Sequence, residues 1–163
     1  MGVTLATILI VDDSSSVRKV VRTLFEAEKG FTISGEAVNG LDAIAKTEEL
    51  QPDLIVLDLS MPIMNGLEAA DVLKSRWPEI PIYILTAHGG PEVDRAAQTA
   101  GIDAVFAKDK DMPRLIANAR AAFPGKSKSS KSGKSAKSGK RSKTPKTSRS
   151  PKPNSATKPP KRG

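Results

Sequence analysis

Residues 52–62 read Pro52-Asp53-Leu54-Ile55-Val56-Leu57-Asp58-Leu59-Ser60-Met61-Pro62. Four consecutive large apolar residues closed by acids and prolines are too short for a helix. They are also too uniformly apolar for a strand with one wet face, so they read as a strand buried on both sides. The same signature recurs at Ala6–Val11, at 82–85 and at Ala104–Ala107, with Phe31–Ala37 as a weaker fifth case. Between these runs the apolar residues change to helical spacing. Val17, Val20, Val21, Leu24 and Phe25 form one stripe, and Leu41, Ile44 and Ala45 a second. Leu67, Ala70 and Leu73 form a third, Val93, Ala96, Ala97 and Ala100 a fourth, and Leu115, Ala119, Ala122 and Phe123 a fifth. Gly30, Asn39-Gly40, Pro52, Asn65-Gly66, Pro78, Pro81, Gly89-Gly90 and Gly101 fall between them as breakers.

Five such strand–helix units predict an α/β fold, a parallel sheet wound on both faces by helices with right-handed crossovers. Ligands of such sheets bind beyond the carboxyl ends of the strands, where strand order reverses. The first strand ends at Asp12-Asp13, the third at Asp58, the fourth at Thr86 and the fifth at Lys108. Three carboxylates converging at one edge repel, each pair at 4 Å by about 4 kcal/mol at an effective dielectric of 20. Either their protons are retained or a cation joins them. Oxygen ligands without Cys or His suit a hard ion such as Mg²⁺. Taken singly, Asp12-Asp13 serves equally well as charge and cap at a helix start, and Asp58 and Lys108 as surface charges. The order of all four strand ends favours the convergent reading.

Composition divides the chain. Among its 163 residues, all 18 acids and 12 of the 26 Lys/Arg lie in 1–124, a balance of −6, while 125–163 carries 14 Lys/Arg and no acid. The only apolar residues in that tail are Ala136 and Ala156. Such a segment cannot offset its ordering entropy by burial, so 125–163 is expected to be disordered beside one folded domain, 1–124. Absence of Cys excludes disulfides, thiolate metal sites and thiol nucleophiles. No apolar stretch approaches the roughly 18 residues of a membrane span, and no secretory signal is evident. A cytoplasmic protein without membrane partners is the expectation.

The stretches Ile8-Leu9-Ile10-Val11-Asp12-Asp13, 52–62, Asn65-Gly66, Ile84-Leu85-Thr86-Ala87 and Ala100-Gly101 leading to Lys108 resemble, in order and spacing, the receiver domain of two-component response regulators. The resemblance implies a flavodoxin-like (βα)5 sheet of order 2-1-3-4-5, an order of which a receiver is itself a standard example. It further implies that Asp58 accepts a phosphoryl group from a sensor histidine kinase or phosphotransfer protein. Asp12, Asp13, Asp58 and the backbone carbonyl of Ser60 would hold Mg²⁺. Lys108, Thr86 and Ala87 would meet the phosphoryl oxygens, and the chain would be a monomer or a phosphorylation-dependent dimer. These roles suit phosphoryl transfer, which is catalysed by positioning and by cations around a loose transition state. The protein would not turn over an external substrate, because Ser60 stands where a dehalogenase-type phosphohydrolase needs a second acid.

Two positions depart from the pattern. Val105 stands three before Lys108, where many receivers carry Tyr or Phe. Phe106 falls on the opposite side of the strand, so the usual threonine–aromatic relay is not expected. Asp109 replaces a common proline, so no cis peptide is expected after Lys108. His88 reads as a solvent-exposed rim residue, Trp77 and Tyr83 as packing, and Ser14, Ser15 and Ser16 as a helix start.

In the tail a basic residue recurs every third position from Lys128, through Lys131, Lys134, Lys137, Lys140, Lys143 and Lys146 to Lys152, with Arg141 additional. Period three matches polyproline II, and five prolines after residue 144 oppose a helix. The composition resembles the lysine-rich tails of linker histones. It predicts salt-sensitive, sequence-independent binding to DNA or RNA, and hence an association with the nucleoid. An alternative expectation is an architectural nucleic-acid-compacting protein in which the receiver-like domain is passive.

Overall fold

The computed structural model describes residues 4–124. The expectations for the tail, including Lys131, Lys134, Lys137, Lys140, Arg141, Lys143 and Lys146, fall outside the described residues. Ten elements alternate without exception. They are β1 (Ala6–Val11), α1 (Ser15–Glu26), β2 (Phe31–Ala37), α2 (Gly40–Leu50), β3 (Leu54–Leu57), α3 (Gly66–Arg76), β4 (Ile82–Thr86), α4 (Pro91–Thr99), β5 (Ala104–Ala107) and α5 (Met112–Ala122). The strands form one parallel sheet of order β2-β1-β3-β4-β5, the flavodoxin-like arrangement expected. Strand order reverses beside β1, so the crevice between the carboxyl ends of β1 and β3 is where such a sheet offers a site.

The uniform apolarity of the strands has a direct structural cause, because both faces are covered. Ala6, Ile8, Ile10, Leu54, Val56, Tyr83, Leu85 and Phe106 pack with Val21 and Phe25 of α1 and Leu115, Ile116 and Ala119 of α5. Leu9, Val11, Ile55, Leu57, Ile82 and Ile84 pack on the other face with Ala43 of α2 and Ala69, Ala70 and Leu73 of α3. Phe106 and Val105 take opposite sides of β5, as expected. Tyr83 is buried and its ring packs 5.5 Å from that of Phe106.

Acids at the amino ends of strands pin the sheet. Asp53 accepts from the Thr7 amide at 2.8 Å and from its hydroxyl at 3.0 Å, tying β3 to β1. Asp103 accepts from the Ile82 amide at 2.9 Å and pairs with Lys74 at 2.8 Å, tying β5 to β4 and α3. At β2 the register with β1 slips by one residue. The extra residue, Ser34, donates its hydroxyl to the Ile8 carbonyl at 3.1 Å, so the bulge leaves that carbonyl satisfied.

Helix ends follow ordinary capping chemistry. Ser14 caps α1 and Asn39 caps α2, while Asn65 and Glu68 form a full capping box on α3. Helix faces differ from the expected stripes in places. Leu41 and Val20 are exposed, as are Ala45 and Ala122. In α2 the inward positions are instead Gly40, Ala43 and Thr47. Thr47 is tolerated inside because its hydroxyl donates to the Ala43 carbonyl at 2.8 Å.

Candidate functional site

The carboxyl edge of the sheet brings the strand-end residues together. One carboxylate oxygen from each of Asp12, Asp13 and Asp58 lies within 4.8 Å of the others. Asp12 and Asp58 are buried and Asp13 is exposed, so the cluster is a recess open on one side. Lys108, at the end of β5, reaches across β4. Its Nζ stands 2.6 Å from Asp12 Oδ2 and 3.1 Å from Asp58 Oδ1. Among the described residues that ammonium is the one partner facing the buried Asp12 Oδ2. Asp12 Oδ1 accepts from the Ser14 amide at 2.9 Å, fixing the carboxylate at the start of α1.

Burial raises the Asp58 carboxyl above its ordinary range. The Lys108 hydrogen bond opposes this, Asp12 adds repulsion, and a bond from the Ser60 backbone partly relieves it. For Lys108, burial favours the neutral amine. Its bonds to Asp12 and Asp58 outweigh that, so the ammonium is held above its usual value. One ammonium among three carboxylates leaves net negative charge in a low-dielectric recess, which favours a further cation.

Thr86 ends β4, buried, with its hydroxyl engaged to its own loop. It accepts from the His88 amide and donates to the His88 carbonyl, both at 3.2 Å. The Lys108 amide donates to the Thr86 carbonyl at 2.8 Å, which holds the ends of β4 and β5 together. Ala87 and His88 are exposed at the rim. Beside them a cavity of about 520 Å³ opens between the β4–α4 and β5–α5 loops, with Val105 among its lining residues. The position three before Lys108 thus carries no ring. No cis peptide occurs among the described residues, including the bond after Lys108.

Two supports were not read from the sequence. Arg18 donates from its η1 nitrogen to the Asp12 carbonyl at 2.8 Å, and its Nε is held by Glu36 at 2.8 Å. Gly66 packs so closely on the start of the β3–α3 loop that an added Cβ would lie 2.1 Å from the Asp58 carbonyl oxygen. Its amide donates to the Leu59 carbonyl at 2.9 Å. The Asn65-Gly66 pair is visible in sequence as a breaker, but the requirement for glycine comes from backbone-to-backbone contact. Arg18 carries no sequence signal beyond being a charge on a half-buried helix face.

The carboxylate donors fit a hard divalent cation, being oxygens only, mutually close, and short of positive charge. A recess with carboxylates on one side and a lysine on the other also suits a phosphoryl group, whose oxygens the cations meet while a carboxylate attacks.

Comparison with known proteins agrees with this fold. Residues 8–120 match the family model described as response regulator receiver domain. A Bacillus subtilis protein named as the uncharacterized transcriptional regulatory protein YhcZ is 36% identical over 123 residues, 76% of this chain and 57% of that protein. The Escherichia coli nitrate/nitrite response regulator protein NarL is 36% identical over 121 residues, 74% of this chain and 56% of its own length. The chain thus spans a little over half the length of these relatives. Among solved structures, a two-component response regulator of the LuxR family from Aurantimonas sp. superposes with TM-score 0.70 and 30% identity, covering 75% of this chain and 87% of that one. The response regulator domain of Thermotoga maritima CheB gives 0.68 and 25%, covering 74% and 97%. No helix among the described residues is long and apolar enough to cross a membrane.

Proposed function

The chain belongs to the response regulator receiver family of two-component signalling, and from that premise we propose that Asp58 is its phosphoacceptor. The donor is a phosphohistidine on a sensor kinase or phosphotransfer protein. An Asp58 oxygen forms the new O–P bond, the N–P bond breaks, and its electron pair stays on the departing imidazole. The observation that carries this reading is the bridge from Lys108 to both Asp58 and Asp12, at 3.1 and 2.6 Å. A cation held against the acceptor carboxylate supports the reading, because it is what phosphoryl oxygens arriving there need.

Asp12, Asp13, Asp58 and the Ser60 carbonyl would hold Mg²⁺, which when bound offsets the charge of the phosphoryl oxygens. The chain's own groups do the rest. Asp58 supplies the nucleophile from a recess that excludes most water. Lys108 exchanges carboxylate for phosphoryl oxygens. Thr86, released from His88, donates its hydroxyl to one of them, with the Ala87 amide alongside. Incubation with Mg²⁺ and acetyl phosphate adds one phosphate to the wild type and none to Asp58→Ala. Equal labelling of the two refutes the assignment.

The output is proposed to run through the basic tail. Fourteen Lys/Arg and no acid within 125–163 support sequence-independent binding to DNA or RNA by release of counterions. The same segment supports a second reading, a nucleic-acid-compacting protein whose receiver is passive. The two separate on whether phosphorylation changes DNA affinity.

A further inference from the structure

Five large apolar residues stand exposed among the described residues, and three of them, Val38, Leu41 and Ile63, belong to one junction. The Gly40 amide donates to the Met64 carbonyl at 3.1 Å. A Cβ on Gly40 would lie 2.6 Å from Met64 Cγ. The β2–α2 and β3–α3 loops are therefore locked together, with Val38 and Leu41 on one side of the seam and Ile63 on the other. No ionisable residue lies within Val38 to Leu41 or within Leu59 to Leu67, although Asp58 opens the second loop and the Asp42 carboxylate accepts from the Val38 amide at 3.1 Å.

Ile63 is the most telling of the three. It is 76% exposed and sits at φ +72°, a left-handed conformation that β-branched side chains strongly disfavour. Met64 donates its amide to the Pro62 carbonyl at 2.8 Å across it, closing a three-residue turn of the strained kind. Asn or Gly would relieve the strain, and nothing in the core is gained from isoleucine there. A strained, solvent-facing apolar residue beside a reactive group points to a contact made outside the chain.

Resting on the reading of Asp58 as acceptor, we infer that Val38, Leu41 and Ile63 form the apolar anchor against which a phosphohistidine-bearing donor protein seats. The occupant follows from geometry. Asp58 lies in a recess, so a protein donor must cover the rim to deliver its phosphoryl group. A contact of standard size occupies about 800 Å² per partner, a disc of roughly 16 Å radius. Gly66 touches the Asp58 backbone, and Ile63 is three residues away, at most about 11 Å along the chain. Ile63 falls inside such a footprint centred on Asp58. Small donors need no footprint and do not use it.

The test compares two donors on the full chain. One is acetyl phosphate with Mg²⁺. The other is the autophosphorylated kinase or phosphotransfer protein that labels the wild type fastest. Ile63→Asn, whose new side chain tolerates positive φ, and Leu41→Ser should each slow transfer from the protein donor at least tenfold while acetyl phosphate labels them at the wild-type rate. Melting temperature of Ile63→Asn should not fall. Wild-type rates with both donors overturn the inference, as does equal loss with both. Sedimentation showing a wild-type dimer that Ile63→Asn dissolves would assign the patch to a second copy of the chain and overturn it also. A wild type that acetyl phosphate leaves unlabelled brings down the reading of Asp58 first, and this inference with it.

Discussion

At the scale of single residues, Gly66 and Arg18 show how the site is held as well as what it contains. Gly66→Ala would press a methyl group against the Asp58 carbonyl. Backbone cannot step aside as a flexible side chain can, so urea unfolding should show a loss of about 1–3 kcal/mol. Labelling of Asp58 should fall with it. An alanine variant as stable and as readily phosphorylated as the wild type would contradict the close approach. The strand-end positions of Asp12, Asp13, Asp58, Thr86 and Lys108 were legible in the sequence because they close apolar runs, and a parallel sheet gathers such positions at one edge. Arg18 was not, and Gly66 was legible only as part of a turn, because their importance arises where two loops or a helix and a strand end meet in space. No spacing rule records such a meeting.

At the scale of elements, the strands were legible and the helix faces less so. A strand covered on both sides has nothing but apolar residues to show, and 54–57 shows four. Ile55→Ala or Leu57→Ala, fully buried on the α2/α3 face, should each cost about 2–5 kcal/mol in urea unfolding. A loss under 1 kcal/mol would mean the face is not packed as described. In α2 the apolar count misplaced the inward stripe, since Thr47 satisfies its own hydroxyl and Gly40 needs no side chain to be buried. The α1–β2 junction carries a pH signature. Burial alone would raise the Glu36 carboxyl, but Arg18 and Arg22 outweigh it and hold the group below its ordinary value. A carboxyl depressed in the folded state contributes stability that is fully present above its unfolded value of about 4.3 and is lost as pH falls through the lower folded value. Glu36→Gln should therefore lower stability near pH 7 by about 1 kcal/mol or less and flatten its decline between pH 5 and pH 3. An unchanged slope there would remove Glu36 from the account.

At the scale of the molecule, the chain joins a domain of charge −6 to a segment of charge +14. A boundary at 124 is expected because composition changes there abruptly. The tail's partner is argued from charge alone, because it has no aromatic residue to stack on bases. Binding of the full chain to duplex DNA should weaken with salt at a log–log slope of about −9 if ten phosphates are contacted, and residues 1–124 should not bind. Retained binding by 1–124, or a slope near zero, would place the nucleic-acid contact elsewhere or abolish it.

If the proposal holds, the phosphoryl group comes to rest on one particular carboxylate. Reduction of the acetyl phosphate-treated, Mg²⁺-loaded chain with borohydride converts an acyl phosphate into homoserine, and peptide mass spectrometry locates it. Homoserine at position 58 alone is the expected result. Its appearance at position 12 or 13 instead, or nowhere in the chain, would rule out Asp58 as the acceptor.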